Sequence, residues 1–128
     1  DESSTFINFF KLINFQKKKL LKLINKIIKK KEIIHGYGAS TKGNVLLQYF
    51  NISNKSIKFI AERNNQKFNS FTPGTKIKII SEKNSRRMFP EYYLVLPWHF
   101  KKEILMREKQ IRSKGTKFII PLPRLQVI

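Results

Sequence analysis

The stretch Gly36-Tyr37-Gly38-Ala39-Ser40-Thr41-Lys42-Gly43-Asn44 decides how this chain is read. It follows the short apolar run Glu32-Ile33-Ile34-His35 and precedes Val45-Leu46-Leu47-Gln48-Tyr49-Phe50, a run of helical character. A strand, a glycine-rich turn and a helix, in that order, make the layout of a phosphate-binding loop. Glycines let the backbone turn sharply and approach a ligand closely. The helix that follows points its open N–H groups and the positive end of its dipole at an anion. Ser40, Thr41 and Lys42 add two hydroxyls and a cation. The candidate cradle is therefore Gly36, Gly38, Ser40, Thr41, Lys42, Gly43 and Asn44. Gly36 and Gly38 match the first two glycines of the dinucleotide fingerprint, but Thr41 stands where the third belongs. The P-loop pattern does not fit either, because Lys42 precedes Gly43. On spacing alone, a tight turn that binds nothing stays open as the alternative.

Outward from the loop, short apolar runs alternate with helical ones. Residues 33–37 form the first strand and residues 44–50 the helix after the loop. Further strands are expected at residues 57–61, 76–80, 92–96 and 117–120, with Pro73-Gly74 turning the chain into the third. Residues 100–113 read as a helix with Phe100, Ile104 and Ile111 available for a buried face, ended by Gly115 as a C-terminal cap. Residues 64–70 and 83–88 are the most loop-like. Upstream, residues 6–31 read as one amphipathic helix. Phe6, Phe10, Ile13, Leu20, Ile24, Ile27 and Ile28 recur at three- and four-residue spacings, with Lys18, Lys22, Asn25 and Lys29 opposite. Ser3 or Ser4 is placed to cap its start. Strands alternating with helices imply an α/β fold, a mostly parallel sheet of about five strands covered on both faces.

Composition sets bounds. The chain has 128 residues, 41% of them hydrophobic, enough to bury a core as one domain. No run of eighteen apolar residues exists to span a membrane. The opening Asp1-Glu2 lacks a basic n-region, so it is no signal peptide, and the missing initiator Met reads as a piece of a longer chain. Absence of cysteine excludes disulfides and accords with the cytoplasm. The net charge of +19, from 27 basic and 8 acidic residues, raises a nucleic-acid reading. Against it, Lys greatly outnumbers Arg, the residue that suits bidentate recognition. Lys, Ile, Asn and Phe are abundant together and share AT-rich codons, so base-composition drift is the preferred source of the charge.

Two further positions carry candidate chemistry. Glu62 ends the second strand about twenty residues after the loop, where a dinucleotide fold places the acid that holds a ribose. Pairing with Arg63 or a nearby lysine is the equal alternative. Trp98 and His99 follow the fourth strand, at the end where open α/β sheets collect ligands. For Trp98, packing beneath the next helix is preferred; for His99, a ligand contact. His35, on the first strand, reads as a packed histidine. Two histidines without cysteine give no metal set. The only Asp is Asp1, so no Ser-His-Asp arrangement exists.

The residues of the loop resemble the opening motif of the C-terminal domain of S-adenosylmethionine-dependent sugar C-methyltransferases. Four more blocks fit in order: Ile60-Ala61-Glu62-Arg63-Asn64, Phe71-Thr72-Pro73-Gly74-Thr75, Tyr92 through Phe100, and Lys117 through Pro123. The resemblance implies a Rossmann-like domain over residues 32–128, with the amphipathic helix of residues 1–31 before it. It also implies an N-terminal zinc domain and a central S-adenosylmethionine domain in the full enzyme. This chain has no cysteine for the former and too few residues for the latter. The family's catalytic Glu-His motif belongs to the central domain, and Glu32 and His35 do not match it. The expectation is thus a substrate-side domain, inactive alone and holding no cofactor itself. Its ligand would be a nucleotide-linked sugar or similar anion on the cradle, with Glu62 and His99 as secondary contacts. Its partner would be the methyltransferase domain of the same enzyme, with no membrane and no specific nucleic acid. A free-standing nucleotide-binding module is the runner-up, ahead of a basic nucleic-acid-binding protein.

Overall fold

A computed structural model describes residues 2–128. The chain begins with helix α1 (Glu2–Lys29), then strand β1 (Ile34–Tyr37), helix α2 (Thr41–Tyr49), β2 (Phe59–Glu62) and β3 (Lys78–Ser81). It continues through α3 (Glu82–Arg87), β4 (Tyr92–Val95), α4 (Lys101–Arg107), α5 (Lys109–Ser113), β5 (Lys117–Ile120) and β6 (Gln126–Val127). The sheet runs β3-β2-β1-β4-β5-β6. Strands β1 to β5 are parallel and β6 closes one edge antiparallel. This order reverses direction between β1 and β4, the switch point of a doubly wound sheet. The α/β expectation holds, with a sixth strand of two residues that no apolar run announced.

Period-two alternation along each strand sends side chains to two covered faces. One face carries Ile34, Ile60, Leu94 and Ile119, packed with Leu20, Ile24 and Ile27 of α1 and Leu46, Leu47 and Phe50 of α2. The other carries Tyr37, Ala61, Tyr93, Val95, Phe118 and Ile120, packed with Ile104 of α4. The second face is partly polar. His35 shares a 2.6 Å hydrogen bond with Ser85 of α3, and Ser85 shares one of 2.7 Å with the Tyr93 hydroxyl. All three residues are buried.

Several expectations are corrected. Helix α1 is present, but Phe6 and Phe10, read as part of its apolar stripe, are exposed by 63% and 40%. Phe9 and Phe15 are exposed by 58% each, in line with four aromatics near the helix start being more than one core-facing stripe can hold. A 28-residue helix is about 42 Å long and a four-residue strand about 13 Å, so the sheet covers only part of the helix. Burial starts near Ile13 and Gln16, and Ile28 also stays exposed. Ser3 and Ser4 lie inside α1 and do not precede it. Residues 83–88, read as a loop, mostly belong to α3. That helix is polar, and Ser85 alone is buried, so no apolar period marked it; Ser81 caps it by accepting from Asn84 N–H. The helix of residues 100–113 is broken at Glu108, whose carboxylate turns inward onto Arg86 at 2.8 and 3.1 Å. Phe100 lies outside the core, while Ile104 is buried as expected.

Candidate functional site

The loop after β1 and the turn after β4 flank the switch point, at the carboxyl ends of the strands. The loop is held from several sides. Gly38 takes φ +83°, which favours glycine, and its N–H donates to Ala61 O of β2 at 2.8 Å. Ala39 is gripped twice: its N–H donates to Glu62 Oε1 at 2.8 Å, and its carbonyl accepts from Lys67 Nζ at 2.7 Å. Ser40 is extended and caps α2, its Oγ accepting from Gly43 N–H at 3.0 Å. Asn44 N–H donates to Ser40 O. Among the described hydrogen bonds this leaves the N–H groups of Thr41 and Lys42 open at the helix start. Both side chains are exposed. The Asn44 amide oxygen is buried without a hydrogen-bond partner.

The glycines have close protein neighbours. A Cβ on Gly36 would lie 2.8 Å from Ile60 Cγ1, one on Gly38 2.9 Å from Pro97 Cδ, and one on Gly43 2.5 Å from Leu96 Cβ. Their small size lets β1 pack on β2, lets Pro97 sit against the loop, and lets α2 start against the end of β4. Pro97 therefore lies directly across the switch point from Gly38.

Glu62 ends β2 as expected, and its carboxylate accepts three backbone N–H groups. Oε1 takes Ala39, and Oε2 takes Arg63 at 3.0 Å and Asn64 at 2.8 Å. His99 is exposed in a short 3₁₀ turn of residues 98–100, its ring 4.3 Å from that of Phe100 and 6.1 Å from that of Trp98. Trp98 is half-buried and packs against both core clusters. The structure thus brings Gly38, Ser40, Thr41, Lys42, Gly43 and Glu62 together around one loop. Gly36 lies within β1, and His99 belongs to the facing turn.

Sequence reasoning missed Lys67 and Pro97, which shape the loop. Lys67 sits in a polar stretch with no periodicity, and nothing in its spacing tied it to Ala39. It also missed a charged cluster on the second face. There Glu108 holds Arg86, while Arg107 pairs with Glu82 and lies 5.9 Å over the Tyr37 ring. Burial, followed by the Glu108 charge, raises the Tyr37 phenol above its ordinary range. Burial pushes His35 down from 6.5 to about 4, so it is neutral at pH 7. Its ring is enclosed by Phe59 and Tyr93, in keeping with a packed histidine. Among the described residues no His, Cys, Asp and Glu cluster suits a metal, and no helix is long and apolar enough to cross a membrane.

Comparison with known proteins gives the site its context. Residues 1–123 match the model of the C-methyltransferase C-terminal domain. The chain is also 33% identical over 106 residues to the C-methyltransferase NovU of Streptomyces niveus. That alignment covers 83% of this chain and 25% of NovU, so the chain spans about a quarter of the relative it matches. With the match running through the glycine-rich loop and all five parallel strands, this chain belongs to the C-methyltransferase C-terminal domain family.

Proposed function

We propose that this chain forms the substrate-side wall of an S-adenosylmethionine-dependent C-methyltransferase. On this reading the loop of residues 36–44 holds the anionic part of a nucleotide-linked sugar. One observation carries the reading. The N–H groups of Thr41 and Lys42 are open at the start of α2, with the Lys42 ammonium on the same turn. Two N–H donors and a cation at a helix N-terminus favour a diphosphate. Glu62 and Lys67 hold the loop in the shape that presents them. His99, exposed in the turn after β4, is the candidate contact for the ligand's sugar or base side.

The cofactor belongs to a neighbouring domain. S-adenosylmethionine would supply the methyl group, but its ribose needs an acceptor, and the Glu62 carboxylate already accepts three backbone N–H groups. This chain alone neither methylates nor binds that cofactor tightly. The exposed aromatic face of α1 supplies the contact with the methyltransferase domain of the same cytoplasmic enzyme. Light scattering reads that contact: the isolated chain should self-associate and Phe9→Ser should reduce it, whereas a strictly monomeric wild type would contradict it.

Calorimetric titration with uridine diphosphate tests the loop. Lys42→Ala should weaken binding by about 10- to 100-fold, a charge-assisted contact being worth roughly 1.5–3 kcal/mol. Gly38→Val should weaken it further, because the new side chain meets Pro97 at an unfavourable φ. Equal affinity in all three would leave the loop as a structural turn.

A further inference from the structure

A cavity of about 590 Å³ opens at the opposite end of the sheet, where the chain enters β4 and β5. Its volume falls within the range of small-molecule sites. Tyr93 and Ile111 line its apolar part, and Lys83, Arg87 and Lys114 stand around it with Phe89. Arg86 also lines it but is engaged by Glu108 and Glu82. Lys83, Arg87 and Lys114 make no ion pair among the described residues. The one acid lining the cavity, Glu91, accepts the Ile33 N–H. The cavity thus has an apolar interior and a surplus of cations at its edge.

Phe89 adds a second observation. It ends α3 at φ +52°, with its N–H donating to Arg86 O. Glycine is the residue favoured at such a helix end, because a Cβ is strained there. A phenylalanine in this place, 81% exposed, contributes nothing to the core. Its ring faces solvent beside the unpaired cations.

We propose that this cavity is a second binding site, independent of the loop after β1, for a small aromatic phosphate of nucleoside-monophosphate size. The aromatic ring enters against Phe89, Tyr93 and Ile111, and the phosphate meets Arg87, Lys83 and Lys114. The strained position of Phe89 supplies a test that separates binding from folding. Phe89→Gly relieves the backbone and removes the ring. Its thermal midpoint should stay level or rise, while adenosine 5′-monophosphate binding, read by calorimetry, falls at least fivefold. Arg87→Ala should weaken that ligand by a similar factor. Ribose 5-phosphate, which lacks the ring, should bind wild type at least tenfold more weakly. Adenosine 5′-monophosphate affinity unchanged in Phe89→Gly and Arg87→Ala would overturn the proposal. So would loss of that affinity in Lys42→Ala alone, which would put the ligand at the other end of the sheet.

Discussion

The two ends of the parallel sheet use polar groups in opposite ways. At the carboxyl end they are turned inward on the loop itself: Glu62 accepts three backbone N–H groups, Lys67 holds Ala39 O, and Ser40 caps α2. What faces outward is small, the Thr41 and Lys42 N–H groups and one ammonium. At the amino end the buried polar chain His35–Ser85–Tyr93 meets, through Tyr93, a cavity whose surrounding cations are largely unpaired. A site can be built by rigid bracing of few donors, or by leaving charge unpaired around an apolar hollow. This domain contains both arrangements, with one sheet between them.

The largest effect expected from this contrast is at the amino end, with pH. Unfolded, His35 takes up a proton near its ordinary 6.5; folded, burial lowers that to about 4. The unfolded state therefore binds more protons between these values, so stability rises with pH across this range and is lost as the solution is acidified. It should be full above pH 6.5 and lower by about 3 kcal/mol near pH 4. Urea unfolding across this range checks it, and His35→Asn should lack that part of the slope. A variant with the full wild-type slope would remove His35 from the account. At the carboxyl end, Glu62→Ala should cost about 2 kcal/mol by leaving the part-buried Ala39 N–H without its acceptor. Amide exchange at Ala39 should quicken, while adenosine 5′-monophosphate binding at the far cavity stays as in wild type. Unchanged exchange at Ala39 would show that the bracing of the loop does not depend on this carboxylate.

The carboxyl end was largely legible in the sequence and the amino end was not. A strand, paired glycines and a helix start are local signals, and Glu62 stood at the right distance along the chain. The run Lys117–Ile120 was recognisable as a strand to the residue, because a buried parallel strand is a continuous apolar run. Helix α3 escaped because its six residues are polar and it is held by a Ser81 cap and by Ser85 under the sheet. The amino-end cavity depends on α3 and on the end of α5, so it could not be read before them. The partners of the glycines were hidden for another reason. Ile60, Pro97 and Leu96 lie on other strands or turns, and a glycine shows only that something comes close. Phe6 and Phe10 of α1 fitted a helical period, but period does not say where the sheet stops covering the helix.

The central claim is that the open helix start at Thr41 and Lys42 receives the anionic part of a nucleotide-linked substrate. Backbone amide shifts of the labelled chain, followed during titration with uridine diphosphate, test it residue by residue. The account predicts the largest saturating shifts at Thr41 and Lys42, strongly reduced in Lys42→Ala. Shifts that leave these two amides unmoved while the ligand binds elsewhere would contradict it.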